Sequence, residues 1–360
     1  MARTSDQHDQ RPREVPTIVT SRKARWVLGI VAACLVVITG VGLGVAWLQF
    51  GAFERADFDP GAARDQIEQY RLEHDGGVPE EAQLTGEIQR DDGLLTTLVL
   101  GRDAGDDDAR ADAIMLIVVP SDDREPVIAS IPRDLWVENP CTGGMSRINA
   151  GLSGCGDDIS GPDLMTIMVE DLAGIEIDHY AEVDFDGFIR IVDTFGGVEI
   201  CTDHPVRDWR AELELPGGCV EAGGDEALAW ARSRHTEELV DGSWRVQPGI
   251  NALVRDERQQ ELALEVADRI SSFDSVGNLR DVATGLQDSV TLDSQMSFLR
   301  AVSLAWEHRI LDTDEVERIT IPVTDYTTSG GAAVVRPQAS LKELLAEALE
   351  EDPSELAGDR

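Results

Sequence analysis

Twenty-five consecutive residues, Trp26 to Phe50, contain no Asp, Glu, Lys or Arg. As an α-helix, a run of this length crosses the ~30 Å hydrocarbon core of a bilayer. Trp26 and Trp47 stand near its two ends, where an interfacial aromatic belt would place them. A cleaved signal peptide is the competing reading, but such peptides use an apolar stretch of roughly 7–15 residues, and no small-x-small cleavage site is evident. Arg22, Lys23 and Arg25 flank the N-terminal side. The positive-inside rule therefore keeps that side cytoplasmic and puts the rest outside. The expected organisation is a cytoplasmic tail over 1–25, a single membrane span over 26–50, an external stalk over 51–90, a folded domain over 91–350 and a tail over 351–360.

Charge follows this division. The chain carries 31 basic and 69 acidic residues, a net charge of −38, which excludes a general nucleic-acid binder. Residues 1–25 hold six basic and three acidic groups, leaving 25 basic against 66 acidic beyond the span, a net of −41 outside. Apolar residues at 42% against 28% charged are too many for a disordered acidic chain, so a folded enzyme or binding domain is expected. Of the cations only Lys23 and Lys342 are lysine.

Cys34 falls within the expected span, while Cys141, Cys155, Cys201 and Cys219 fall in the external part. Four cysteines allow three connectivities. Pairing 141 with 155 and 201 with 219 is favoured because each bond closes a short Gly-rich loop, and an oxidising exterior preserves such bonds. A metal site is the weaker alternative, since no CxxC spacing occurs and His204 is a single histidine beside Pro205.

Residues 94–101, 113–120 and 126–132 are short apolar runs rich in β-formers, and their near-continuous hydrophobicity predicts strands buried on both faces. Helical periodicity puts Leu164, Ile167, Met168 and Leu172 on one face, and Phe188, Ile191, Val192 and Phe195 on another, with Gly174 and Gly196 as C-terminal caps. Further strands are read at 179–185, 197–201 and 318–323, and further helices at 225–234, 256–273 and 340–351. The fold class is α/β, a mixed central sheet sandwiched by helices, in one domain without internal repeats.

Three polar clusters interrupt this apolar frame. The first ends one strand with Gly101-Arg102-Asp103 and opens the next with Arg110-Ala111-Asp112. Carboxylates at adjacent strand ends suit a hard cation such as Mg²⁺, which takes one or two protein carboxylates; a solvated acidic loop, including Asp106 to Asp108, is the plainer alternative. The second is Arg133-Asp134 after an apolar strand, followed by Arg147-Ile148-Asn149-Ala150. The third is Trp230-Ala231-Arg232-Ser233-Arg234-His235, then Arg255-Asp256-Glu257-Arg258-Gln259-Gln260. An extended chain at 230–235 would point Arg232 and Arg234 to one side, where two guanidinium forks suit a phosphate or pyrophosphate. Ion pairing with nearby acids is the competing reading for any single arginine.

These motifs, together with Val183-Asp184-Phe185-Asp186-Gly187-Phe188 and Phe195-Gly196-Gly197-Val198, occur in the order found in the LytR-CpsA-Psr family. The resemblance covers roughly 94–265, and the cytoplasmic tail, single span and external domain are also similar to that family. It implies a phosphotransferase that takes a glycopolymer from a polyprenyl-pyrophosphate carrier and attaches it to peptidoglycan through a phosphodiester. The arginine bias and paired cysteines resemble actinobacterial members, which attach arabinogalactan or related polymers. The resemblance further implies that Asp103 and Asp112 hold Mg²⁺ (with Mn²⁺ as a substitute), that Arg110, Arg133, Arg232 and Arg234 bind phosphate oxygens, and that Arg147, Arg255 and Gln259 complete the pocket. The Phe188, Ile191, Val192, Phe195 face is a candidate lining for the prenyl chain, with ordinary core packing as the alternative.

One position departs from the family pattern. An Asp commonly stands three residues before the arginine that matches Arg255, and here Ala252 stands there. Asp241 and Asp256 are the carboxylates able to replace it. Two competing functions follow: a polyprenyl-pyrophosphate-binding protein without turnover, and a lipid pyrophosphatase.

Overall fold

The structure, a computed structural model, describes residues 54–56, 58–74, 93–102, 110–122, 124–156, 159–247, 252–271, 290–294 and 316–350. The expected cytoplasmic tail, membrane span and C-terminal tail lie outside the described residues, as do Cys34 and Asp103. Among the described residues no helix is long and apolar enough to cross a membrane.

In chain order the elements are β1 (Glu54–Ala56), α1 (Pro60–His74), β2 (Leu94–Arg102), β3 (Ala111–Pro120), β4 (Val127–Ser130), β5 (Trp136–Asn139) and β6 (Gly144–Arg147). A 3₁₀ turn (Ile148–Ser153) leads to α2 (Gly161–Ala173), β7 (His179–Asp184), α3 (Phe185–Thr194), β8 (Val198–Thr202), β9 (Val206–Asp208), β10 (Leu213–Leu215), β11 (Gly218–Ala222) and α4 (Gly224–Arg232). Then follow β12 (Glu237–Val240), β13 (Ser243–Val246), α5 (Ala252–Ser271), β14 (Val290–Asp293), β15 (Glu317–Thr320), β16 (Val323–Thr327), β17 (Ala333–Pro337) and α6 (Leu341–Ala348).

Among the described residues the main sheet has seven strands in the order β1-β14-β7-β2-β3-β4-β15. It is mixed: β2 runs parallel to β7 and antiparallel to β3, while β4 runs antiparallel to β3 and parallel to β15. Helices lie on both faces. One face buries Leu98, Leu100, Ile114, Leu116 and Val118 with Leu164, Ile167 and Met168 of α2, Ile67 of α1 and Leu345 of α6. Short local signals start and stop these helices: Ser160 caps α2 by accepting from the Asp163 N–H at 3.2 Å, and Gly174 ends it with φ 75°.

The opposite face is not sealed. Along β2 and β3 buried and half-buried residues alternate, and the half-buried set, Val99, Met115, Ile117 and Val119, shares its face with Ala181 and Val183 of β7. Strands buried on both faces were expected from the hydrophobic run, and one face is only partly covered. Phe188 and Ile191 of α3 and Phe195, its C-cap, are half-buried as well, and Phe188 packs against a second core that buries Val192 with Leu213, Ala227, Trp230 and Leu262.

Residues 54–74 correct the expected stalk over 51–90. β1 pairs in parallel with β14, and Phe58, Ala63 and Ile67 enter the first core. Arg64 bridges to Glu170 and Asp171 of α2, each at 2.8 Å. The segment looks like a stalk because few apolar residues are spread among many charges, yet those few meet the core, and Arg64 meets carboxylates 106 and 107 positions away.

Both favoured disulfides are present. Cys141–Cys155 joins the β5–β6 turn to the segment before α2, and Cys201–Cys219 links directly paired positions of β8 and β11.

Candidate functional site: an arginine cleft

Asp112 reaches the site through a bulge. Gly101 pairs with Ala113 and Arg102 with Ala111, so Asp112 is the extra residue between two paired positions. An extra residue of this kind bends its strand and re-aims a side chain, a device common beside functional sites. A Cβ at Gly101 would stand 3.3 Å from that of Ala113, which leaves little room for a side chain there. Arg102, the neighbour of the undescribed Asp103, pairs with Glu182 and does not line the cleft.

After β4 the chain turns through Pro132, and Arg133 donates from Nη1 to Asp112 Oδ1. Asp134 holds two cations: its Oδ2 lies 3.6 Å from Arg133 Nε and its Oδ1 lies 3.2 Å from Arg147 Nε. Arg147, which ends β6, also donates from Nη2 to the Ala333 carbonyl at 2.8 Å.

The other wall comes from α4, the segment after it, and α5. Arg232 is the last residue of α4, with its guanidinium 4.6 Å over the Phe185 ring. The extended chain expected at 230–235 is therefore helical to Arg232, and Ser233 is the first extended residue. Helix-forming residues from Asp225 onward continue the helix to that point, and the two arginines face one cleft because the chain breaks between them. Arg255 lies on the first turn of α5, 5% exposed, and Gln259 follows one turn later.

These residues bound two adjoining cavities of about 460 and 270 Å³. The larger is lined by Arg110, Asp112, Arg133, Asp134, Arg147, Asn149, Arg234 and Ala333. The smaller is lined by Asp112, Arg133, Ala231, Arg232, Arg234, Arg255 and Gln259. Asp112, Arg133 and Arg234 belong to both, so they form one cleft, where among the described residues six arginines face two aspartates in a chain of net charge −38.

That excess of cation has visible consequences. Partial burial, and then the neighbouring Arg133 and Arg255, hold Arg234 below the ordinary guanidinium range. The buried Nε atoms of Arg133 and Arg147 and the buried Nη2 of Arg255 face carboxylate oxygens of Asp134 and Asp256 at 3.6, 3.2 and 3.5 Å respectively. Guanidinium groups fixed in this way, next to like charges, suit the oxygens of a polyanion.

Eight of the nine residues expected in the phosphate and metal site meet here, and the ninth, Asp103, lies outside the described residues. Two residues were given no role in advance. Asp134 adjoins Arg133 in a motif already noted for its charge, and Asn149 sits in the Ile148-Asn149-Ala150 motif. Of the two stand-ins for Ala252, Asp241 is exposed in the β12–β13 turn, whereas Asp256 is 3% exposed beside Arg255, its Oδ1 3.5 Å from Arg255 Nη2. Burial pushes the Asp256 carboxyl up to about 6.

For a metal, the described donor in the cleft is Asp112 with Asp134 close by. This set fits Mg²⁺, which takes few protein carboxylates and completes its shell with water and phosphate oxygens. The one grouping of three His, Cys, Asp or Glu ligand atoms among the described residues is Glu199 with Cys201 and Cys219, and there both cysteines are in the disulfide.

A mixed sheet with helices on both faces and an arginine cleft at its strand ends defines an α/β domain with a cation-rich cleft. The chain belongs to the LytR_cpsA_psr family, whose sequence profile matches residues 64–350. It is 31% identical over 260 residues to the cell wall biosynthesis protein LcpA of Corynebacterium glutamicum, covering 64% of this chain and 47% of LcpA. It is 25% identical over 296 residues to the polyisoprenyl-teichoic acid–peptidoglycan teichoic acid transferase TagU of Oceanobacillus iheyensis, covering 81% of this chain and 84% of that one. The chain spans about half the length of LcpA and less than a third of the related LcpB. Among solved structures, the LytR-Csp2A-Psr enzyme from Actinomyces oris shares the fold with a TM-score of 0.56 at 24% identity, covering 72% of this chain and 91% of that one.

Proposed function

We propose that the protein transfers a wall glycopolymer from a polyprenyl-pyrophosphate carrier to a hydroxyl of peptidoglycan, forming a phosphodiester outside the membrane, with residues 26–50 as its anchor. The observation that carries this reading is the six-arginine cleft at the end of a sheet whose adjoining apolar face is only half covered. A pyrophosphate suits the first, and its prenyl chain suits the second, along Val99, Met115 and Ile117. The TagU relative, a polyisoprenyl-teichoic acid–peptidoglycan teichoic acid transferase, supports the same chemistry.

In this reading the acceptor oxygen forms a bond to the phosphorus that carries the glycan, and the P–O bond to the prenyl phosphate breaks. Such transfers need alignment and positive charge where the oxygens gain negative charge. Arg133 and Arg234, which line both cavities, and Arg255 of the smaller one bind the bridging and terminal oxygens. Arg232 binds from the Phe185 side, and Arg110, Arg147 and Gln259 close the ends. Asp112, with Asp103, would hold Mg²⁺, which supplies charge neutralisation on the pyrophosphate oxygens. Arg133 restrains Asp112 through its hydrogen bond, and Asp134 restrains Arg133 and Arg147. The proton of the acceptor hydroxyl leaves to bulk water or to a carboxylate, and Asp256 is the carboxylate adjoining Arg255.

The test uses the full chain in detergent with a polyprenyl-pyrophosphate glycan, peptidoglycan fragments and Mg²⁺. Glycan joined to peptidoglycan through a phosphodiester, dependent on Asp112 and Arg234, supports transfer. Prenyl phosphate and a glycan phosphate monoester released without a peptidoglycan-linked product point instead to a lipid pyrophosphatase. The absence of a carboxylate at Ala252 favours a second reading, binding without turnover, and tight lipid binding with no product under any divalent metal supports it.

A further inference from the structure

Arg234 occupies an unfavourable place. It follows the end of α4 at Ser233, whose extended backbone (φ −62°, ψ 128°) carries the chain out of the helix, and it lies in the field of Arg133 and Arg255, which Asp112 and Asp134 offset in part. Three like charges in one cleft repel one another before any anion arrives. Something other than the ligand has to hold the segment in place.

Asp208, at the end of β9 and 1% exposed, is bonded to that segment and to none of the cleft's side chains. Its Oδ2 accepts from Ser233 Oγ at 2.8 Å, from the Arg234 N–H at 3.1 Å and from the His235 N–H at 2.8 Å. Its Oδ1 accepts from the Arg210 N–H at 3.0 Å, which fixes the carboxylate from the other side. Ser233 and Thr236 share a 2.7 Å hydroxyl contact, Thr236 accepts from Arg258 Nη1 at 3.2 Å, and Arg258 lies 3.7 Å from the Trp230 ring centroid. The two N–H groups that a chain leaving a helix would otherwise expose are thus both bound to one buried anion.

We infer that Asp208 is the positioning residue of the anion cleft, holding residues 233–235 so that Arg234 stays aimed into the cleft with Arg133 and Arg255. It acts through Arg234 and does not touch the ligand. The inference rests on the reading of the cleft as a pyrophosphate site and adds the device that keeps the site formed when it is empty.

A double-mutant cycle on the full chain in detergent tests it, with inorganic pyrophosphate and Mg²⁺ as the probe and calorimetry as the readout. Asp208→Asn keeps the size of the side chain but turns one acceptor into a donor facing N–H groups. It is expected to weaken pyrophosphate about 10-fold in the native background, and less than about 2-fold when Arg234→Ala is already present. A purely structural role would lower the melting temperature and weaken binding alike in both backgrounds, and that result, or no loss in the native background, overturns the inference. Should Asp208→Asn not fold, Ser233→Ala removes one of the three Oδ2 bonds in the same cycle. A loss of about 3-fold confined to the native background supports the inference, and an unchanged affinity overturns it. Failure of the unaltered protein to bind pyrophosphate removes the anion reading itself, and this inference with it.

Discussion

Asp134 Oδ1 lies 3.2 Å from Arg147 Nε, and the other oxygen of the same carboxylate faces Arg133 Nε at 3.6 Å, so one acid spaces two cations that come from separate turns. Removing the charge raises the net positive charge of the cleft, which by itself favours an anion. The loss is one of orientation. Asp134→Asn is therefore expected to leave the KM for the lipid unchanged or lower while kcat falls about 10-fold, as steady-state transfer assays would show.

Arg234 presents a planar fork in the part of the cleft common to both cavities. Arg234→Ala should lower transfer by about 10²–10³-fold, the scale of removing one preorganised donor from a site of developing charge. Arg234→Lys should restore only a small part of it, because a single ammonium cannot bond two oxygens in a plane. Product yield at saturating lipid distinguishes the two.

Asp256 is buried beside Arg255, and its folded-state carboxyl at about 6 lies above the ordinary 3.8. A carboxyl raised by folding stabilises the protein while protonated, so its contribution is full below about pH 4 and is lost as the pH rises through about 6. A two-unit shift corresponds to at most about 3 kcal/mol. Asp256→Asn should flatten this part of the profile, and urea midpoints of the two proteins at pH 4 and pH 7.5 measure the difference directly.

Cys201 and Cys219 join opposite positions of β8 and β11, 18 residues apart in sequence. A crosslink closing a loop of this size stabilises by about 3 kcal/mol, chiefly by restricting the unfolded chain. The double Ser variant should melt several degrees lower while retaining transfer activity at low temperature, because neither cysteine lines the cleft.

Gly224 opens α4, and a Cβ there would stand 2.4 Å from the Ile189 carbonyl oxygen of α3. Gly224→Ala has to push α4 away from backbone, which costs about 1–3 kcal/mol in a packed interior. Because Arg232 ends that helix, transfer activity should fall further than the melting temperature alone accounts for. Activity measured well below the melting transition separates the two effects.

Much of the main sheet was readable because β2, β3 and β4 are apolar runs bounded by turn residues, and α2 carries its own start and stop in Ser160 and Gly174. The cleft arginines were readable for a different reason: in so acidic a chain, cations gathered beside apolar strands stand out. The strands of the small sheet, β9, β10, β12 and β13, were not, since runs of three or four residues such as Leu213-Glu214-Leu215 become strands only by pairing. Residues 54–74 were misjudged because their partners in β14 and α2 lie a hundred or more residues away.

Local pattern by itself therefore determined where helices and strands of ordinary length begin, which cysteines are near enough in sequence to pair, and which arginines belong to one chemical set. Tertiary structure alone decided that Asp112 leaves its ladder at a bulge, that one Asp134 spaces two arginines, and that Asp208 holds the segment carrying Arg234. The reason is physical: periodicity and capping act over one turn or one strand, whereas the direction of a buried charge is set by whichever distant groups remove it from water.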